Sequence, residues 1–210
     1  MLLVGTHSPI PATKRILDII VTIPSIILLS PLLLVIAILV RINFGSPIIF
    51  RQKRPGFHGK PFWVHKFRSM TNERDDQDQL LPDGQRMTRL GRFLRSTSLD
   101  ELPEMINVLR GEMSWVGPRP LLMQYLERYS PEQNRRHDVL PGITGWAQIN
   151  GRNALTWEEK FELDVWYVDH WSLWLDIKIL LLSVVKVLQR QGINQPGQAT
   201  ADEFMGNHES

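Results

Sequence analysis

Two adjacent carboxylates, Asp100 and Glu101 in "SLDELPEMINVLR" (residues 98–110), are the side chains whose types and spacing could do chemistry. Their bland reading is a capping box, with Glu101 reaching back to Ser98 and Asp100 favoured by the helix dipole. Pro103 weakens it. A helix starting after Ser98 puts Pro103 where its missing N–H costs a bond, whereas Pro103 fits well as a first helical residue. The two carboxylates then sit in or just before the first turn, where the positive helix end lowers their pKa values. An ionised, exposed aspartate there can be a nucleophile toward phosphorus, and its neighbour can hold Mg2+.

Arg119 stands between Pro118 and Pro120. Flanking prolines stiffen the backbone, so the guanidinium fork is presented with little entropy left to lose, which suits bidentate phosphate recognition. A structural turn with a surface arginine reads equally well. From Arg41 to Asn72 there is no acid, while Arg41, Arg51, Lys53, Arg54, Lys60, Lys66 and Arg68 are all cationic. Such a block wants phosphates, of nucleic acid, lipid head groups or a nucleotide, though simple attraction to anionic lipid accounts for any single lysine. Asp75, Asp76 and Asp78 read as a solvated loop, not as metal ligands.

The chain has 210 residues, 24 Lys+Arg against 22 Asp+Glu, and no cysteine. The length suggests one domain with a separate membrane element. Disulfides, thiolate nucleophiles and Cys-ligated zinc are excluded.

The apolar run 16–40 reads as a retained membrane anchor. As a straight helix it would reach roughly 37 Å, enough to cross a hydrocarbon core of about 30 Å. Ser30-Pro31 interrupts it, and cationic residues flank both ends: Lys14 and Arg15 before, Arg41, Arg51, Lys53 and Arg54 after. A re-entrant helix–break–helix that leaves both ends in the cytoplasm satisfies these facts; a proline-kinked single span is the alternative. The serine hydroxyl can bond backbone carbonyls freed by the proline.

Downstream, residues 48–52 and 62–67 read as short strands around a turn at 56–59. Helices are expected over 88–95, 98–110, 121–129, 157–170 and 175–190, with "WAQI" (146–149) strand-like. Trp157, Trp166, Trp171 and Trp174 crowd one stretch beside an apolar helix, which fits either a head-group interface or core packing. The tail after Gln191 is expected to be flexible. The fold class is thus α+β, mainly α: a 1–13 tail, a 14–42 membrane hairpin, a 43–190 domain with amphipathic interfacial helices and a small β-hairpin, and a 191–210 tail.

Together, "KRILD", Ser30-Pro31, "GSPIIFRQKRPG", "KFRSM", "LDELPEMINVLRGEMSWVGPRP", "PGITGWAQINGRN" and "FELDVWYVDHW" resemble the bacterial sugar transferases, the monotopic polyprenol-phosphate phosphoglycosyl transferases in their short form. The resemblance runs from about Lys14 to Arg190; larger members add an N-terminal transmembrane bundle. It implies a re-entrant anchor at the cytoplasmic face of the bacterial inner membrane. The implied reaction moves a sugar 1-phosphate from a UDP-sugar to undecaprenyl phosphate. By similarity, Asp100 attacks the sugar-proximal phosphate, forming a phosphosugar-aspartyl intermediate and releasing UMP, and Glu101 coordinates Mg2+. Arg95 and Arg119 match family arginines that handle phosphates or the nucleotide. With Pro118, Pro120, Lys66, Arg68 and Arg152 they form the expected substrate-binding set. The expected partners are the two substrates, membrane lipids and a second copy of the chain, with no nucleic acid. The family's usual glutamine after DELP is Glu104 here. A lipid-binding scaffold and a nucleotide-sugar hydrolase are the competing readings, and the donor sugar (N-acetylated, galactose or glucose) stays open.

Overall fold

The computed structural model describes residues 10–151, 154–189 and 203–206. A 33-residue helix, α1 (Ala12–Phe44), opens the fold. Its middle exposes mostly apolar side chains, with Ile27, Leu28, Leu34 and Val35 all open. That is a surface suited to lipid rather than water. Only its two ends are buried, through stripes four residues apart: Lys14, Asp18 and Thr22 near the start, Ile36, Val40 and Phe44 near the finish.

Helical conformation continues through Ser30-Pro31, so the two separate helices expected on either side of it form one element. Pro31 has no N–H for the carbonyl of Ile27, and the Ser30 hydroxyl donates to that oxygen at 2.8 Å instead. The substitution keeps the carbonyl satisfied, so the chain passes the proline without leaving the helix.

The first stripe is polar because it meets polar partners. Lys14 Nζ donates to Val116 O (2.9 Å), to the Tyr167 hydroxyl (3.0 Å) and to Asp176 (2.7 Å), and both ionic groups are almost fully buried. Asp18 accepts from the Ser114 hydroxyl and the Trp115 amide, and Thr22 from the Trp115 indole at 2.7 Å. Arg15 donates to the carbonyls of Val108 and Leu109. The second stripe is apolar and packs with Phe67 and Leu94, flanked by Leu99 and Leu102.

Strands β1 (Ile49–Pro55) and β2 (Pro61–Phe67) form the expected antiparallel hairpin, in register from Ile49 opposite Phe67 to Pro55 opposite Pro61. Short helices α2 (Asp83–Arg86) and α3 (Arg89–Ser96) follow, the latter capped by Thr88. The expected helix over 98–110 is a 3-10 segment, Leu99–Glu104, running into α4 (Met105–Arg110). Next come β3 (Ser114–Val116), a 3-10 segment Met123–Glu127 in place of the expected α-helix, and α5 (Pro131–Asn134). Strand β4 (Gly142–Thr144) pairs parallel with β3. The "WAQI" stretch is helix α6 (Trp146–Ile149), not a strand; four apolar-rich residues carry too little period to decide. Two longer helices, α7 (Trp157–Asp169) and α8 (Leu173–Gln189), complete the order.

At Gly142 the backbones touch: a Cβ there would lie 2.1 Å from Gly117 N, so no side chain fits. This contact ties β4 to the start of the Pro118–Pro120 turn. The tryptophans divide between the two readings. Trp171 donates to Asp176 at 3.1 Å, Trp157 joins an aromatic core with Tyr125 and Phe161, and Trp174 on α8 is 72% exposed beside exposed Leu181 and Val184.

Candidate active site

The capping box at Ser98 does not form. Ser98 takes a left-handed conformation (φ 56°, ψ 17°) and makes no side-chain cap bond to the segment it precedes. Glu101 turns instead toward tertiary partners. Its carboxylate accepts from both terminal nitrogens of Arg119 (Nη1 to Oε2 at 3.2 Å) and from Lys66 Nζ at 2.6 Å. Two full charges presented across the fold outcompete the one neutral backbone amide that the capping box would offer Glu101.

Asp100 stands next to this grip and outside it. Among the described residues, none of the hydrogen bonds or ion pairs engages its carboxylate, though it is buried to 7% exposure. Burial first and the Glu101 charge second push its pKa up, against Lys66, Arg95 and Arg119. This corrects the expectation that a helix terminus lowers both carboxylates. For Glu101, burial pushes upward most strongly, but the charges and hydrogen bonds of Arg119 and Lys66 together overcome it and hold the group well below the usual range. The dyad is therefore split: a restrained, firmly ionised Glu101 beside an uncommitted Asp100.

Lys66 comes from β2 and reaches a second carboxylate, Glu104, at 3.1 Å. Burial, opposed by Lys66 and reinforced by Glu101, pushes Glu104 up to about 7. Asn107, fully buried, fixes the strand beside Lys66 by donating to Trp63 O at 2.7 Å and accepting from the His65 amide. Arg95 at the end of α3 is held by the Ser69 hydroxyl through Nε at 3.1 Å. Arg54, on the same hairpin face as Lys66, feels Arg119 and Glu104, and burial lowers it to about 10.

The Pro118–Pro120 turn is anchored at both flanks. The Pro118 carbonyl accepts from Gly142 N at 3.0 Å. The Arg119 carbonyl accepts from Arg136 at 2.8 Å, and Arg136 is itself ion-paired to buried Asp164 at 2.6 Å. Pro120 leads into the Met123–Glu127 segment.

The structure thus brings together Asp100, Glu101, Lys66, Arg95, Arg119 and the two prolines. Arg68 sits elsewhere: its guanidinium donates to the carbonyls of Phe44 (2.8 Å), Ser46 and Met70, closing the end of α1. Arg152 lies outside the described residues. Arg54, Asn107 and the Arg136–Asp164 pair were not expected in the site. Arg54 carried a signal, since the period of a strand puts residues 50, 52 and 54 on one face, and pairing of Phe50 with Lys66 makes it the face of Lys66.

Among the described residues, no three acidic or imidazole groups converge as a complete metal cage. Two adjacent carboxylates fit Mg2+ of the kind that keeps waters and shares substrate phosphates. Asp100, crowded by a neighbouring negative charge, is the group such a cation would relieve.

The family model described as "Bacterial sugar transferase" matches residues 10–190. An uncharacterized sugar transferase, EpsL, of Bacillus subtilis (strain 168) is 56% identical over 194 residues, covering 92% of this chain and 96% of that protein. The UDP-glucose:undecaprenyl-phosphate glucose-1-phosphate transferase of Klebsiella pneumoniae is 50% identical over 183 residues, 82% of this chain and 39% of its own length. The undecaprenyl-phosphate galactose phosphotransferase of Salmonella typhimurium (strain LT2) is 40% identical over 196 residues, 85% of this chain and 41% of its own. The chain thus spans about two fifths of these two named transferases. With nearly its whole described length matched, the chain belongs to the bacterial sugar transferase family.

Proposed function

We propose that this protein transfers a sugar 1-phosphate from a UDP-sugar to undecaprenyl phosphate, with Asp100 as covalent nucleophile. The observation that carries the reading is the split dyad: Glu101 is fixed by Arg119 and Lys66, while the adjacent Asp100 carboxylate has no hydrogen-bond partner among the described residues. A structural carboxylate is bonded; a nucleophile must be available. The relatives named for glucose and galactose transfer supply the substrate class.

An Asp100 oxygen attacks the sugar-proximal phosphorus. The bond from that phosphorus to the bridging oxygen breaks, and UMP leaves with the electron pair. An oxygen of undecaprenyl phosphate then attacks the same phosphorus, forming the lipid pyrophosphate and returning the Asp100 carboxylate. Arg119 and Lys66 keep Glu101 oriented and, with Arg95 and Arg54, set a positive field for the phosphates. Mg2+ held by Glu101 would supply charge neutralisation between the attacking carboxylate and the pyrophosphate.

The lipid acceptor demands a site at head-group height. We read α1 as re-entrant at the cytoplasmic face of the inner membrane, with its apolar middle in lipid. Arg15 reaches Val108, while the stripe containing Val40 packs beside Leu102. Residues 102 and 108 are about 10 Å apart along their helix, yet residues 15 and 40 would be about 37 Å apart on a straight one. A bend within α1, which carries prolines at 24 and 31, would reconcile these contacts. Exposed Trp174, Leu181 and Val184 give α8 an apolar face for the same interface.

The test is UMP release from a panel of UDP-glucose, UDP-galactose and their N-acetylated counterparts with undecaprenyl phosphate and Mg2+. At least one donor should support release that Asp100→Asn abolishes. Release by the variant at the wild-type rate contradicts the assignment.

A further inference from the structure

The four described residues near the C-terminus, 203–206, are packed against the domain. The Phe204 side chain is 2% exposed. Its ring lies 4.9 Å from Phe161 and 5.7 Å from Tyr125, both edge-on, and stacks on Tyr129 at 5.9 Å. Leu121, Leu122 and Trp157 complete the cluster. The docking is also polar: the Phe204 amide donates to the Tyr125 hydroxyl at 3.1 Å, and Arg128 donates to the Phe204 carbonyl and pairs with Glu203 at 2.8 Å.

This pocket touches the machinery that holds Arg119. Leu121 directly follows the Pro118–Pro120 turn. Tyr129 and Phe161, which flank the Phe204 ring, also carry the Arg136 guanidinium over their faces, each at 5.8 Å. That guanidinium donates to the Arg119 carbonyl at 2.8 Å, and Arg119 grips Glu101. From Phe204 to the dyad the connection is therefore a short series of packed rings, one ion-paired arginine and one carbonyl.

We propose that the segment 203–206 is part of the active-site scaffold, with Phe204 a positioning residue for Arg119. The proposal rests on the transfer reading given above and adds to it a structural element remote in sequence. Without the Phe204 ring, Tyr129 and Phe161 lose one wall, Arg136 loses its fixed platform, and the turn that presents Arg119 loosens. The segment acts through other residues and touches no substrate.

Phe204→Ala and, as a variant that leaves no core cavity, Glu203→Lys test it in the full chain. Glu203→Lys turns the pair with Arg128 into a repulsion at a half-exposed site. With the best donor of the UDP-sugar panel, Phe204→Ala should raise the donor KM about tenfold and Glu203→Lys several-fold. Phe204→Leu should restore most of the loss. KM does not depend on the fraction of protein folded, so mere destabilisation lowers Vmax and leaves KM in place. Hydrogen exchange reads the same coupling without turnover: peptides covering 117–122 should exchange faster in Phe204→Ala, while those covering 173–181 should not change. Unchanged donor KM and unchanged exchange at 117–122 in both variants would overturn the proposal. So would a lowered KM, which would make the segment a competitor for the donor site. Wild-type UMP release in the same assay carries the transfer reading separately.

Discussion

Glu104 offers a quantitative probe of the charge balance in the site. Glu104→Gln keeps an amide oxygen for Lys66 and removes a titrating group that is 2% exposed. Burial, opposed by Lys66 and reinforced by Glu101, pushes its carboxyl from 4.5 up to about 7. A carboxyl whose pKa is higher in the folded state holds its proton more tightly there. Its contribution is therefore most favourable below 4.5 and is lost as the pH rises through 7. The gap corresponds to on the order of 3 kcal/mol at about 1.4 kcal/mol per pH unit. For a chain of this size that is roughly 6–12 °C in Tm. Melting both proteins in the same detergent from pH 5 to pH 8 isolates Glu104, because the upward shift of Asp100 is common to both. The glutamine variant should gain on the wild type across this window by an amount in that range. Parallel Tm curves would refute the reasoning, because Glu104 would then titrate as it does in the unfolded chain.

Arg119→Lys keeps the charge and loses the two-pronged hold on Glu101, so kcat/KM should fall at least about tenfold; equal activity would reduce Arg119 to a counter-charge. Lys14→Met strands buried Asp176 and the Tyr167 hydroxyl, and should cost about 3–5 kcal/mol in denaturant unfolding. A loss under 1 kcal/mol would mean that water replaces the ammonium. Cysteines introduced at Ser8 and His58 should both be protected from a membrane-impermeant reagent in intact cells, since a re-entrant α1 keeps both flanks inside. Labelling at residue 8 alone would make α1 a single span.

What the sequence made legible was local. The hairpin over β1 and β2, the short α3 and the long α7 follow from period and punctuation, and the structure has them within a few residues of expectation. The Asp100-Glu101 pair was also visible, but its chemistry was not. The local rule placed Glu101 on Ser98, while the carboxylate found Lys66 and Arg119, 35 and 18 residues away. The same distance in sequence hid the Arg136–Asp164 pair and the docking of Phe204 on Tyr125, whose partners lie 28 and 79 residues apart. Arg68 misled in the opposite direction: its place in a basic block suggested phosphate, yet the backbone carbonyls of Phe44, Ser46 and Met70 use its donors. At Ser30-Pro31 the serine bond to Ile27 O let the helix continue where proline alone argued for an interruption.

The central claim is the covalent step at Asp100, and intact-protein mass spectrometry tests it most directly. Wild-type protein incubated with its donor and Mg2+, with undecaprenyl phosphate withheld, should gain the mass of one phosphosugar on Asp100 and release one equivalent of UMP. Adding undecaprenyl phosphate should discharge the adduct. Asp100→Asn should show neither event. A wild-type enzyme that turns over with both substrates yet never carries the added mass, and whose double-reciprocal plots intersect rather than run parallel, would contradict Asp100 as the nucleophile.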